Sequence, residues 1–196
     1  IWPRRRINPV LRGVSFELDA GTMVGLVGEN GSGKSVLMRI IAGSLTPDRG
    51  PITVEGRLGY CPQVPMLYDK LTCDEPFALF GHAYRLGGTT TRERAHQLYE
   101  SLSFARFRAE LVENLSGGTR QKLNLAIALL HDPTVLLLDE PYAGFDWETY
   151  QAFWSIAGSL RERGTTILII SHFIQEQERF DQILRLKDGV LESGGH

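Results

Sequence analysis

Short apolar runs alternate with amphipathic stretches along most of the chain. Three runs are apolar at nearly every position, which is typical of parallel strands buried on both faces of a sheet; they lie at residues 23–27, 134–138 and 165–170. Apolar residues recur with helical spacing around them, which predicts helices at residues 35–42, 119–131 and 146–163. Strands that alternate with helices predict an α/β fold with a mainly parallel sheet.

Shorter segments predict the remaining strands. Residues 14–18 alternate apolar and polar side chains, which indicates a strand with one buried face. Residues 51–54 and 58–60 predict short strands in a small antiparallel layer beside the main sheet. A short helix is predicted near residues 174–180, and residues 182–191 predict a terminal hairpin.

The stretch from residue 65 to residue 114 is helical in character. Capping boxes of the form Thr-x-x-Glu begin at Thr72 and Thr90, and they predict helices that extend to about residues 86 and 102. A third, short helix is predicted at residues 106–111. We therefore predict one domain, in which residues 1–64 and 115–196 form an α/β core and residues 65–114 form an inserted helical subdomain.

Composition and charge describe an ordinary globular protein. The chain has 196 residues, of which 42% are hydrophobic, and its net charge of −2 gives no overall attraction to nucleic acid. Cys61 and Cys73 have no zinc-site spacing, so we expect a reducing, cytoplasmic setting. No apolar run approaches the roughly 20 residues that span a bilayer, and no signal-peptide pattern is visible. The first residue is Ile, which leaves open that the sequence is part of a longer chain.

A phosphate-loop motif follows the first buried run. Residues 28–35 read Gly-Glu-Asn-Gly-Ser-Gly-Lys-Ser, between a predicted strand and a predicted helix. In such a loop the glycines let backbone N–H groups surround phosphate oxygens, a lysine reaches the outer phosphates and a serine hydroxyl can bind Mg²⁺. The predicted nucleotide-binding residues here are Gly28, Glu29, Asn30, Gly31, Ser32, Gly33, Lys34, Ser35 and Val36.

Two carboxylates follow the second buried run. Asp139 and Glu140 come directly after residues 134–138, and ligands of open α/β sheets bind at the carboxyl ends of strands. We expect Asp139 to hold the Mg²⁺ of bound MgATP through its water shell. Glu140 is placed to orient and deprotonate an attacking water.

The motif Leu115-Ser-Gly-Gly118, just before a predicted helix, completes a resemblance. With the phosphate loop and Asp139-Glu140 in this order, the chain resembles the nucleotide-binding domain of an ATP-binding-cassette (ABC) protein. The family has a P-loop NTPase core with a small antiparallel β layer and an inserted helical subdomain. Residues 65–86 resemble the corresponding segment of bacterial drug- and lipid-export ATPase subunits.

The resemblance implies a role for each matching position. Lys34, Glu140 and His172 would be catalytic, with His172 contacting the γ-phosphate; Ser35, Gln63 and Asp139 would be the Mg²⁺ positions. Trp2 lies where the family stacks an aromatic ring on adenine. Residues 143–146 match the D-loop. Ser116, Gly117 and Gly118 would contact the ATP that is bound to a partner's phosphate loop.

Several positions depart from the family pattern. Thr119 stands where the signature motif usually has Gln, and Val36 replaces a common Thr. Tyr142 and Ala143 replace Thr and Ser before the D-loop glycine, and Phe145 replaces Leu. These changes bear on the signature and D-loop contacts, while the Mg²⁺ positions, Lys34, Glu140 and His172 are retained.

The resemblance also implies partners. It predicts ATP-driven dimerisation with a second nucleotide-binding domain, identical or different, and an integral membrane permease; the chain would lie at the cytoplasmic face of the membrane. Export is favoured over import. The alternatives are a soluble ABC ATPase that acts on ribosomes or DNA, and a scaffold that binds ATP without turnover. Intact Glu140 and His172 argue against the scaffold.

Overall fold

A computed structural model describes residues 9–171 and 178–192. Its strands are β1 (Met23–Val27), β2 (Leu58–Cys61), β3 (Val135–Asp139), β4 (Thr166–Ile170), β5 (Gln182–Lys187) and β6 (Val190–Glu192). Its α-helices are α1 (Lys34–Ile41), α2 (Asp74–Ala83), α3 (Gly88–Ser101), α4 (Gly117–Leu129) and α5 (Trp147–Glu162). Two short 3₁₀ turns, Ala105–Phe107 and Val112–Asn114, connect α3 to α4.

The six strands form one mixed sheet in the order β2-β3-β4-β1-β5-β6. All neighbouring pairs are parallel except β5 and β6, which form an antiparallel hairpin. The prediction of a mainly parallel α/β sheet is therefore confirmed, as are the helices now labelled α1, α4 and α5 and the terminal hairpin. The parallel strands end at the same edge, where β1 leads into the phosphate loop and β3 into Glu140.

Side chains that alternate along the strands feed two apolar cores, one on each face of the sheet. On one face, Leu37 and Met38 of α1 form a buried cluster with side chains of β1, β3, β4 and β5. On the other face, the larger core receives side chains from α2, α3, α4 and α5. Every residue of α4 from Gln121 to Leu129 is buried, which is expected of a helix enclosed on all sides rather than along one stripe. This arrangement fixes α4 firmly beneath the site.

The prediction that residues 51–54 and 58–60 form an antiparallel layer is wrong. Residues 51–54 have no strand geometry, and β2 instead pairs parallel to β3, with Leu58 opposite Val135 and Cys61 opposite Leu138. The partner strand lies more than 70 residues away, so local turn signals pointed to a pairing that the fold does not make. The antiparallel strands of the fold are β5 and β6, at the opposite edge of the sheet.

Residues 14–18 also differ from the predicted strand. Their exposure does alternate, and Val14, Phe16 and Leu18 pack on the core beneath α1. The segment has no strand geometry, however, because it makes no ladder with another strand in the described part of the chain. An alternation of apolar and polar side chains shows that one side of the segment is buried. An extended segment can bury one side without pairing its backbone with another strand.

The two capping boxes have different outcomes. At the first, the Thr72 N–H donates to Glu75 Oε2 at 2.6 Å, so the glutamate half of the box forms, although α2 begins only at Asp74. At the second, the N-cap of α3 is Gly87 rather than Thr90, so the helix begins three residues earlier than the box predicts. The predicted helix at residues 106–111 is replaced by the two 3₁₀ turns. Most of the helix predicted near residue 174 lies outside the described residues.

Candidate nucleotide site

The phosphate loop joins the end of β1 to the start of α1, as the sequence predicts. Its curvature requires glycine at two points in particular. Gly33, the N-cap of α1, has a φ of 106°, which is in the left-handed region. A Cβ on Gly28 would lie 2.1 Å from the carbonyl oxygen of Leu186 on β5, so the loop passes directly against the neighbouring strand. Gly33 has no side chain that could cap the N–H groups at the start of α1, which leaves them for an anion.

Lys34 lies inside the loop that precedes it. Its side-chain amine donates to the carbonyl oxygens of Gly28 at 2.8 Å and Glu29 at 3.0 Å, and the residue is only 7% exposed. Burial lowers the pKa of Lys34 below its ordinary value, while the charges of Glu140 and Asp139 oppose that shift. The carboxylates at the end of β3 therefore act electrostatically on the phosphate loop. A cation held between loop carbonyls and carboxylates is well placed to receive phosphate oxygens.

Ser32 carries a second buried polar group in this loop. Its N–H donates to the Glu29 carbonyl at 3.2 Å. Its hydroxyl is buried and has no hydrogen-bond partner among residues 9–171 and 178–192. A buried hydroxyl without a partner is unfavourable unless a ligand or water completes it, so this atom suits a site that is filled by an anion.

Asp139 and Glu140 lie at the carboxyl end of β3. Asp139 is 2% exposed and pairs with Ile170 in the β3–β4 register. Glu140 is half-buried and has a φ of 50°, a left-handed conformation that is uncommon outside glycine. Its N–H donates to the Ile170 carbonyl at 3.3 Å, which holds the backbone in this conformation. Strain of this kind clusters at functional sites.

The signature residues begin α4. Ser116 is the N-cap, and its side chain accepts a hydrogen bond from the Thr119 N–H. A Cβ on Gly118 would lie 2.3 Å from the carbonyl oxygen of Gly144, so the signature motif packs backbone to backbone against the predicted D-loop. Ser116 and Gly117 themselves are exposed. The signature and the D-loop thus form one continuous surface.

Comparison with known proteins identifies the family. Residues 11–143, well over half of the chain, match the family model described as ABC transporter. The chain belongs to the ABC transporter family. Nod factor export ATP-binding protein I of Rhizobium meliloti (strain 1021) is 39% identical over 198 residues, covering 93% of this chain and 58% of that protein. ABC transporter G family member 20 of Dictyostelium discoideum is 34% identical over 198 residues, covering 94% of this chain and 27% of that protein.

Solved structures agree with this assignment. The bacterial ABC transporter cassette MJ0796 has been solved as a dimer and in a post-hydrolysis state bound to ADP and Pi. Each matches with a TM-score of 0.87 at 26% identity, over 94% of this chain and 89% of that one. The chain therefore has the fold of an ABC cassette. It spans less than two thirds of the length of the two relatives named above.

Not all of the predicted site residues are described. The phosphate loop, Asp139 and Glu140 share the carboxyl edge of the sheet, and Gln63 is exposed at the same edge, two residues after β2 ends. Trp2 and His172 lie outside the described residues. Leu11 does reach the phosphate loop, because its Cδ2 would be 2.8 Å from a Cβ on Gly33. The next residue, Arg12, donates its N–H to the Gly189 carbonyl at 2.7 Å.

Sequence reasoning missed a buried polar cluster on α4. The Asn124 side-chain amide donates to the Pro62 carbonyl at 2.8 Å and to Cys61 Sγ at 3.2 Å. The Gln121 amide donates to the Glu140 carbonyl at 3.5 Å. These two side chains tie the segment before Gln63 and the backbone of Glu140 to the signature helix. The signal available in the sequence was the amide of Asn124 between two apolar residues, Leu123 and Leu125.

The described residues suit Mg²⁺ that arrives with a nucleotide. Residues 9–171 and 178–192 contain no group of three or more His, Cys, Asp or Glu side chains that could hold a metal ion. Mg²⁺ needs no such cage, because it commonly keeps several waters and takes one or two carboxylates together with substrate phosphates. Ser35, in the first turn of α1, and Asp139 offer a hydroxyl and a carboxylate of this kind.

Proposed function

We propose that the chain hydrolyses MgATP by in-line attack of water on the γ-phosphate. The N–H groups of residues 31–35 and Lys34 bind the phosphates, and Ser35, Asp139 and Gln63 face the Mg²⁺, which neutralises the charge that develops on the phosphates. Glu140 orients the attacking water and takes its proton. His172 contacts the γ-phosphate, and Trp2 stacks on the adenine.

The observation that carries this proposal is the backbone of Glu140. Three contacts act on one left-handed residue: its N–H bonds to Ile170, and its carbonyl accepts from Ala143 and Gln121. A backbone that is fixed so firmly at the end of β3 aims one carboxylate relative to the phosphate loop. Preorganisation of this kind is what a general base requires.

Glu140→Gln tests the proposal. We expect the variant to bind ATP with unchanged affinity and to lose on the order of 10²–10⁴ in turnover, since a general base typically contributes that much. Glu148→Gln, an exposed carboxylate in the first turn of α5, is the matched control and should retain full turnover. Normal phosphate release by Glu140→Gln would overturn the assignment.

We further propose that ATP joins two such domains. Ser116, Gly117 and Gly118 are at an exposed helix N-terminus, where N–H groups and the helix dipole favour an anion. The proposal is that they receive the γ-phosphate of ATP held by a second copy or a related domain. Glu140→Gln with saturating MgATP should then elute as a dimer during size-exclusion chromatography, and elution only as a monomer would count against it.

The output that we propose is export through a membrane permease, with the chain peripheral to the cytoplasmic face of the membrane. The export role is named in the Rhizobium meliloti relative, and no helix in residues 9–171 and 178–192 is long and apolar enough to cross a bilayer. The permease would contact the start of the helical subdomain that we place at residues 65–114. At this boundary Val64, Met66 and Tyr68 are 75%, 77% and 59% exposed, and these three large hydrophobic side chains occupy alternate positions just after Gln63.

Co-purification tests this docking. The full-length protein, recovered from detergent-solubilised membranes, should carry one multi-span membrane protein in near-equal amount. Met66→Asp should release that protein while ATP hydrolysis without the permease continues; Leu79→Asp, an exposed position on α2, is the control that should retain it. Recovery with ribosomes or DNA-bound proteins instead would favour the soluble, non-transport class of ABC ATPase.

A further inference from the structure

The hydroxyl of Thr119 lies beside the hydroxyl of Ser116, at the start of the signature helix. The two oxygens are 2.9 Å apart, and either could be the donor. Thr119 is only 7% exposed, whereas Ser116 is exposed. Thr119 occupies the position at which the sequence departs from the family's signature, so this pair is a property of this chain.

A count of hydrogen-bonding capacity decides which hydroxyl donates. A serine hydroxyl has one proton and two acceptor sites. One acceptor site of Ser116 is already taken by the Thr119 N–H at 3.2 Å. In the described ranges, 9–171 and 178–192, the Thr119 hydroxyl has no partner other than Ser116 Oγ. If Ser116 donated to Thr119, the buried Thr119 proton would have no acceptor, which is unfavourable.

We infer that Thr119 is a positioning residue whose hydroxyl donates to Ser116 Oγ, so that the only proton of Ser116 is directed outward to a phosphate oxygen. The inference rests on the proposed role of Ser116 toward ATP on a partner domain. A chain of Thr119 O–H to Ser116 O–H to phosphate also strengthens each bond, because each hydroxyl polarises the next. A hydrophobic side chain at position 119 would leave the Ser116 proton free to rotate.

The test measures ATP-dependent dimerisation of the full-length protein in the Glu140→Gln background. Thr119→Val keeps the shape of the side chain and the N–H of residue 119 but removes the hydroxyl. We expect the MgATP concentration for half-maximal dimerisation to rise roughly 2- to 10-fold, the effect of one lost hydrogen bond. Thr119→Ser should restore the parent value. Binding of a fluorescent ATP analogue to the monomer should not change.

Two further variants separate positioning from a structural effect. Thr91→Val, on α3, removes another buried threonine hydroxyl that bonds a backbone carbonyl at 3.0 Å, and it should leave dimerisation unchanged. In a Ser116→Ala background, Thr119→Val should have no additional effect, because the hydroxyl that it orients is gone. An equal effect of Thr119→Val with and without Ser116 would overturn the inference.

The outcomes also distinguish this inference from the proposed function. A parent that dimerises with MgATP, together with a Thr119→Val variant that behaves identically, overturns the role of Thr119 alone. A parent that stays monomeric in saturating MgATP contradicts the proposed dimer, and the role of Thr119 is overturned with it.

Discussion

Two helices of this protein begin with glycine-rich sequences at predicted phosphate contacts, and their N-termini differ. The N-terminus of α1 is enclosed: Lys34 is buried within its own loop, Leu11 packs on Gly33, and Gly33 as the N-cap has no side chain to cap the helix. The N-terminus of α4 is open: Ser116 caps the helix with its own side chain, and both Ser116 and Gly117 are exposed. The same dipole and N–H groups are thus presented in two different settings.

The difference indicates what each helix can do alone. An enclosed N-terminus with an internal cation can bind phosphates within one chain. An exposed and already capped N-terminus adds only a few donors, so it becomes useful when a ligand is presented to it by another molecule. The comparison therefore predicts that variants at α1 and α4 affect different measurements.

The largest effect should come from substituting one residue at each helix N-terminus and comparing the two variants. Lys34→Gln removes the charge in the loop, and we expect affinity of the monomer for ATP to fall by roughly 10- to 100-fold, the usual worth of a hydrogen bond to a charged group. Ser116→Ala should leave that affinity unchanged and instead weaken ATP-dependent dimerisation. Titration of monomeric protein with a fluorescent nucleotide measures the first quantity, and size-exclusion chromatography the second. Equal losses of monomer affinity for ATP in both variants would show that the two N-termini do not have different roles.

Neighbouring glycines at the start of α4 provide a sharper structural contrast. Gly118 faces the Gly144 carbonyl at a distance that leaves no room for a Cβ, whereas nothing lies within 4 Å of a Cβ on Gly117. Gly118→Ala should therefore lower the free energy of unfolding by about 2–3 kcal/mol through overpacking. Gly117→Ala should change it by less than about 1 kcal/mol, in the stabilising direction, because Ala favours helix. Urea denaturation measures both, and equal values would show that the signature does not pack on the D-loop.

The sequence predicts the α1 region well because its determinants are local. Strand, loop and helix follow one another within residues 23–42, and the glycine spacing specifies the curvature of the loop. The same reasoning fails for β2, since its partner β3 lies far away in sequence. Pairing between strands that are so far apart in sequence has no signal in the residues next to either strand. The turn residues near β2 therefore suggest a hairpin that does not form.

The residues of the candidate site also fall into two groups, one predictable from local sequence and one dependent on distant contacts. The motif residues 28–35, 116–118 and 139–140 are readable as short patterns. The cluster of Asn124, Gln121 and Cys61 is not, because a buried amide in a helix becomes meaningful only once its acceptors, some 60 residues away, are known. The contact of Gly118 with Gly144 likewise joins two motifs that the sequence presents separately.

Asn124 connects α4 to the chain that leads to Gln63, since its side-chain amide bonds the Pro62 carbonyl. Asn124→Leu should lower the free energy of unfolding by about 1–2 kcal/mol, because the Pro62 carbonyl loses its partner in a part-buried position. It should also raise KM for MgATP more than it lowers kcat if the segment before Gln63 is displaced. Asn114→Leu, at an exposed position, should change neither. A normal KM in Asn124→Leu would show that this bond stabilises the fold without positioning Gln63.

The smallest effect should come from the far end of α4, where His131 lies stacked on Tyr84, with ring centroids 3.9 Å apart. Burial lowers the pKa of His131 below its ordinary value, and Arg57 and Arg94 add to this, while the bond to the Leu58 carbonyl and the charge of Asp132 oppose it. The unfolded chain therefore takes up a proton first as the pH falls below about 6.5, and stability is lost there.

We expect the loss between pH 7.5 and pH 5.5 to be about 1 kcal/mol or less from this group, with a slope of at most about 1.4 kcal/mol per pH unit. His131→Leu should remove this pH-dependent loss of stability. The variant should also be less stable at every pH, because the hydrogen bond to the Leu58 carbonyl is gone. His96→Gln, an exposed histidine on α3, should leave the component in place. Urea midpoints at the two pH values measure it. Monomer affinity for ATP should be unaffected by His131→Leu, since this end of α4 is opposite to the signature; a loss of affinity there would mean that α4 transmits changes along its whole length.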